Sequence, residues 1–134
     1  PSHDYSNNPV GEYVVSLIAY SALGCTDTAY ATITIQEELI FYVPNTFTPD
    51  NDNYNQTFQP VFTSGYDPYD YTLYIFNRWG ELIFESHDAN VGWDGSYGLE
   101  GLDAIQGTYT YKISIKSPSV DKRMVYTGHV NLIR

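Results

Sequence analysis

Residues 108–116 read TYTYKISIK, and their apolar side chains fall on every second position. Tyr109, Tyr111, Ile113 and Ile115 belong to one face, and Thr110, Lys112, Ser114 and Lys116 to the other. A period of two marks a strand with one buried face, because successive Cβ atoms leave the pleat on opposite sides. The same alternation recurs along the chain, whereas apolar spacings of three and four do not. Strands are expected at 12–20 and 28–36, joined by the Gly-containing loop SALGCTD, and then at 39–43, 56–63, 71–77, 81–85, 108–116 and 123–133. Asn77-Arg78-Trp79-Gly80 is expected to turn the chain, with Gly80 supplying the left-handed backbone of a short hairpin. The Gly- and Asp-rich stretch 87–107 is long for a connection, so it reads as a functional loop or an ordered excursion over a sheet face. The polar stretch 117–122 reads as the turn before the last strand. Many short strands punctuated by Gly, Pro and Asn predict an all-β chain built as an Ig-like antiparallel β-sandwich. A change of composition near Gln36-Glu37-Glu38 divides it into residues 1–36 and 37–134.

A chain of 134 residues can bury a core without disulfide staples. Its 14 tyrosines suit half-buried strands. The net charge of −10 argues against nucleic acid, whose phosphates require clustered Lys and Arg. The charge is unevenly spread: residues 112–134 carry Lys112, Lys116, Lys122, Arg123 and Arg134 against one acid, Asp121, while the preceding residues carry one Arg against fifteen acids. Cys25 has no second cysteine to pair with in the chain, and reads either as a small buried hydrophobe or as the partner of a cysteine elsewhere. No apolar run approaches the roughly 18 residues of a membrane-spanning helix. The chain opens on Pro-Ser-His without a signal peptide, and reads as part of a longer protein.

Three stretches invite chemistry. In residues 44–58, PNTFTPDNDNYNQTF, the side chains of Asp50, Asp52 and Asn55 offer oxygens to a hard cation such as Ca²⁺. Counted from Asp50, the sixth and twelfth places hold Asn55 and Val61, which excludes an EF-hand; the alternative is an Asx-rich turn bonded to its own backbone. In Asn77-Arg78-Trp79-Gly80, Arg and Trp can stack on a sugar or a cation; alternatively Trp79 packs over the hairpin while Arg78 pairs with an acid. In Gly92-Trp93-Asp94-Gly95, Trp93 is expected to plug the core and Asp94 to cap backbone amides or to join a cation site with the Asp50 loop. No constellation points to catalysis: His3, His87 and His129 are isolated in sequence, no nucleophile elbow exists, and Cys25 has no nearby His. The basic end, Lys112, Lys116, Lys122 and Arg123 with Thr127, Gly128 and Arg134, reads either as a solvated strand face or as a strip that docks on an acidic partner.

Two resemblances extend this reading. PSHDY followed by GEYVVSLIAYSALGCTDTAYATITI resembles the closing half of a PKD domain, an Ig-like module of bacterial surface proteins, which implies a hairpin remnant with a bare edge. FYVPNTFTPDNDNYNQTFQP, YTLYIFNRWGELIFES, GWDGSYG, GTYTYKISI and TGHVNLIR, in that order, resemble the type B C-terminal sorting domain of the Bacteroidota type IX secretion system, the gliding-motility-associated C-terminal domain. The chain departs from that pattern at Asn51 and Asn53, where glycines are usual, and at Gln56, where an Asp is usual. The resemblance implies a non-catalytic β-sandwich that acts as an address. It would carry an upstream cargo, such as an adhesin, through the periplasm to the cell surface by way of the translocon and outer-membrane β-barrel partner proteins. A carbohydrate-binding module is the competing expectation, since those too are Ca²⁺-bearing sandwiches with exposed aromatics.

Overall fold

Every regular element is a strand among residues 1–118 and 121–134, which the computed structural model describes. The turn expected at 117–122 lies partly outside those residues. The chain divides into two units, Pro1–Glu37 and Glu38–Arg134.

The first unit is one long hairpin. β1 (Gly11–Tyr20) and β2 (Thr26–Ile35) pair antiparallel without a slip, from Gly11 opposite Ile35 to Tyr20 opposite Thr26. The turn is held by Ser21, whose hydroxyl accepts from the Leu23 and Cys25 amides at 3.3 and 3.0 Å, and by Gly24 in the left-handed region. Cys25 is exposed at this turn, so it is not the buried hydrophobe that composition suggested. Val14, Leu17, Tyr20 and Tyr30 are exposed within the unit, and a lone two-stranded hairpin is marginal in water.

The second unit is built on a five-stranded sheet in the order β4-β11-β10-β6-β7. These strands are β4 (Thr46–Phe47), β6 (Tyr71–Phe76), β7 (Leu82–Ser86), β10 (Gly107–Ser117) and β11 (Lys122–Leu132). Between them in sequence lie β3 (Ile40–Tyr42), β5 (Val61–Ser64), β8 (Ser96–Tyr97) and β9 (Leu102–Asp103). β3 and β5 pair with one another and cover one face of the main sheet. Phe41 meets Tyr126 at 4.6 Å between ring centroids, and Phe62 meets Tyr71 at 5.6 Å. The result is the sandwich-like all-β arrangement that the alternation implies. Leu73, Ile75, Ile113, Ile115, Val130 and Leu132 line its interior with almost no exposure, each contributing about 1.5–3 kcal/mol by leaving water. Tyr71 is buried with them, and its hydroxyl finds no partner among the described residues.

Two features depart from the sequence reading. β4 runs parallel to β11, with the Asn131 amide donating to the Asn45 carbonyl at 2.9 Å and the Ile133 amide to the Phe47 carbonyl at 3.2 Å. Residues 56–60 are not part of a strand ladder. Phe58 instead exchanges both backbone bonds with Trp93, at 2.8 and 2.9 Å, and Pro60 has no amide to donate. The stretch 87–107, by contrast, is ordered as one of its two readings expected, and it carries its own small hairpin, β8–β9.

Candidate functional site

The loop after β4 is organised around an amide rather than an ion. Gln56 Nε2 lies 3.1 Å from Asp50 Oδ1, 3.0 Å from Asp52 Oδ1, 3.0 Å from the Tyr54 carbonyl and 3.3 Å from the Thr48 carbonyl. Two N–H bonds are thus shared among four oxygens, while Gln56 Oε1 accepts the Asn51 amide at 2.9 Å. Asp50 and Asp52 also accept the amides two residues on, at 3.2 and 2.6 Å, which makes consecutive Asx turns. The Asp52 amide, then the Gln56 side chain, hold the Asp50 carboxyl below the usual carboxylate range. Asn51 and Asn55 supply the left-handed backbone, with φ of 67° and 50°. The donor set expected to take Ca²⁺ does not fit the ion. Asn55 serves through its carbonyl, which accepts the Thr48 amide, and the converging oxygens of Asp50 and Asp52 surround Gln56. Among the described residues no group of three or more His, Cys, Asp or Glu side chains forms a metal site.

A second cluster clasps the end of β11. Trp93 is fully buried against Phe47, at 5.2 Å, and Tyr109, at 4.8 Å, and its Nε1 donates to the Ser96 carbonyl at 2.7 Å. Gly92 lets the chain pass Phe58 and Gln59, where a Cβ would lie 2.8 Å from the Phe58 carbonyl oxygen. Asp94 accepts from the Ser96 hydroxyl at 2.6 Å and the Ser96 amide at 2.9 Å, and these bonds, the hydroxyl foremost, keep its carboxyl below the ordinary range. Gly95 adopts φ of +82° beside Leu132, and its carbonyl accepts both the Ala104 amide and Arg134 Nη2, each bond at 2.8–2.9 Å. Arg134 Nη1 pairs with Asp103 at 2.5 Å. The guanidinium expected to meet a partner therefore fastens the chain's own loop.

The tip between β6 and β7 is a side-chain-capped turn. Asn77 Oδ1 accepts the Trp79 and Glu81 amides at 2.9 and 3.0 Å, and Gly80 has φ of +81°. Trp79 does not pack over the hairpin; it is 73% exposed. Arg78 pairs with no acid among the described residues, and its guanidinium carbon stands 5.1 Å from the Trp79 ring centroid. Arg78, Trp79 and Glu81, together with Tyr97, Ile105 and Tyr109, line a cleft of about 210 Å³. Sequence reasoning missed Ile105 and Tyr97, whose only signal was their place in the long loop.

The basic end folds as one hairpin. β10 and β11 pair from Gly107 opposite Leu132 to Ser117 opposite Lys122 without a slip. Lys116 forms an ion pair with Asp121 at 2.5 Å, and this bond holds its ammonium pKa above the ordinary value. Arg123 pairs with Asp70 and donates to Ser114 Oγ at 3.0 Å. Lys112 and Lys122 are exposed and enter no ion pair among the described residues. Thr127 is exposed opposite Lys112, and Gly128 lies opposite Tyr111, whose ring covers the space a side chain would need. His87 is not isolated: it bridges Glu85, at 2.8 Å, and Thr72, at 3.3 Å. This chain of groups lies on an open sheet face, where the imidazole is 68% exposed and water competes for each bond.

Residues 41–132 match the CHU_C type IX secretion signal domain family. The chain belongs to that family. A search of curated proteins gave no significant match. Among solved structures, the chain is similar to dimeric latent PorU from Porphyromonas gingivalis, with 11% identity over 93% of this chain, 12% of that one, and a TM-score of 0.44. It is also similar to PorZ, a type-IX secretion system component of the same organism, with 19% identity over 72% of this chain, 11% of that one, and a TM-score of 0.40. The secretion signal domain holds the stretches that carried the resemblance in mutual contact. Phe58 bridges Trp93, Trp93 packs on Tyr109, Tyr111 covers Gly128, and Gly95 receives Arg134. No helix among the described residues is long and apolar enough to cross a membrane.

Proposed function

We propose that the unit Glu38–Arg134 is a non-catalytic signal that hands an upstream cargo, such as a surface adhesin, to the type IX translocon and its outer-membrane β-barrel partners. The observation that carries this reading is the family match over residues 41–132. The contacts support it: the side chains of the recurring stretches are spent on one another, in turns, a buried Trp and a strand clasp, which is what a rigid recognition surface requires. Residues 1–36 serve as the closing hairpin of a PKD-like module ahead of this domain. The last hairpin, with Lys112, Lys116, Lys122, Arg123, Thr127 and Gly128, is the surface to be read, while Arg134 holds the end of β11 in place.

The test is export of a periplasm-competent fluorescent protein fused ahead of the full chain in a type IX host. The reporter should reach the surface or medium in the parent strain and stay in the periplasm when the translocon is deleted. Retention in both strains refutes the assignment. The exposed Trp79 under Arg78, both of which line the cleft, favours one second reading, a carbohydrate-binding module. Retardation of the purified chain on polysaccharide gels, lost in Trp79→Ala, together with failure to export the reporter, would establish that reading instead.

A further inference from the structure

β11 is eleven residues long and pairs with β10 along its whole length on one side. On its other side β4 reaches only Asn131 and Leu132. Asn131 and Ile133 direct their amides to that second side, toward the Asn45 and Phe47 carbonyls. The ladder to β10 has no register shift, so the pleat carries the same orientation back along the strand. Arg123, Val125, Thr127 and His129 therefore turn their N–H and C=O groups away from β10. Among the described residues no backbone bond takes up these groups. Their side chains are exposed on the outer face, while Met124 and Tyr126 face the core. Edge strands are ordinarily blunted by Pro, by a bulge or by an inward-pointing charge, and none of these occurs between Arg123 and Val130.

We propose that this edge, residues 123–129, is a strand-addition site for an extended acidic segment of a protein of the secretion apparatus. The proposal rests on the export reading above and says how the signal is read. Strand addition draws its affinity from main-chain bonds, which the eight outward groups of these four residues can supply. The charges choose the occupant. Lys112 stands opposite Thr127 on the outer face, beside the middle of the edge, and Lys122 stands at its start; both are exposed and outside any ion pair among the described residues. A second copy would bring the same cations to its own edge, whereas an acidic strand meets opposite charge, which speeds encounter and fixes orientation.

The experiment uses the full chain, alone and fused to the exported reporter. In the free chain, the amides of Val125, Thr127 and His129 should exchange with deuterium far faster than those of Met124, Tyr126 and Gly128; equal protection would show that the edge is not open. Val125→Pro and Thr127→Pro each delete an outward amide and leave the β10 ladder whole, a placement proline tolerates. Tyr126→Pro, which breaks that ladder, is the unfolding control. If the wild-type reporter is not exported, the secretion-signal reading fails. If the wild-type reporter is exported and folded proline variants lose at least tenfold, strand addition stands; undiminished export overturns it. Should the prolines unfold the domain, Lys112→Glu with Lys122→Glu, at exposed unpaired positions, decides: a several-fold loss of export supports an acidic occupant and no change overturns it. A concentration-dependent dimer abolished by Val125→Pro would replace that occupant with a second copy.

Discussion

Gly128→Ala places a Cβ about 2.5 Å from Tyr111 Cζ and 2.9 Å from Cε1, with the phenol oxygen closer still. Carbon atoms rest about 3.5–4.0 Å apart, so the ring must retreat by roughly 1 Å. Phe58 stands behind it, 5.5 Å away between centroids, and is itself fully buried. Over-packing of this kind costs about 1–3 kcal/mol, and Ala recovers about 0.5–1 kcal/mol of the backbone entropy that Gly loses in a strand. The net expectation is a loss of about 1–2 kcal/mol, or several degrees in Tm for a domain of this size. In a Tyr111→Val background there is no ring to displace, so the same change should be neutral or stabilise by about 0.5–1 kcal/mol. The two substitutions are therefore coupled by about 2 kcal/mol. Urea unfolding of the full chain followed by tryptophan fluorescence measures this cycle, because Trp79 and Trp93 both lie in the Glu38–Arg134 unit and Trp93 leaves a buried site on unfolding. Additive effects, or a Gly128→Ala chain as stable as wild type, would refute the reasoning.

Four other consequences are open to measurement. Tyr71→Phe removes a buried hydroxyl that lacks a partner among the described residues; stability should rise by up to about 1 kcal/mol, and a loss of more than that would reveal a bond the hydroxyl makes. Trp93→Leu opens space against Phe47 and Tyr109 and deletes the bond to the Ser96 carbonyl; unfolding free energy should fall by about 3 kcal/mol, and a change below 1 kcal/mol would contradict its place in the core. Gln56→Ala leaves Asp50 and Asp52 facing one another without the shared donor. Exchange of the Asn51 amide, which Gln56 holds, should accelerate, and unchanged exchange would argue that the loop does not depend on this side chain. Asp50 and Asp94 have folded-state pKa values below those of the unfolded chain. Their contribution is complete above the ordinary carboxylate range and is lost as pH falls through their lowered values, so acid titration should show a plateau near neutrality and a decline below about pH 4.

Much of this molecule is written locally. The alternation of residues 108–116 dictates a strand whose Tyr109, Ile113 and Ile115 are buried, because a pleat has no other way to sort side chains. Gly80, with Asn77 ahead of it, dictates the turn between β6 and β7, since both the left-handed backbone and the amide acceptor lie within a few residues. What stayed hidden was whatever depended on distant chain. β4 is too short to show a period, and is defined by its bonds to the Asn131 and Ile133 amides, far along the chain. Trp93 fills the core as its motif suggested, but Trp79, in a similar Gly-flanked motif, is exposed where it was expected to pack, because only Trp93 has Phe47, Phe58 and Tyr109 packed around it. The Asp50 loop left two readings open, a cation site and an Asx-rich turn; the structure forms the turns, with the Gln56 side chain folded back among the oxygens. The sequence by itself determined the long strands, their faces and the family, all of which follow from short-range geometry and ordered motifs. The tertiary structure decided which cations are already paired and which stand free. It also decided that Trp79 is exposed, and that residues 123–129 of β11 meet no backbone partner on their outer side among the described residues. Each of these depends on what the folded chain brings alongside a residue, and neighbours in sequence do not specify that.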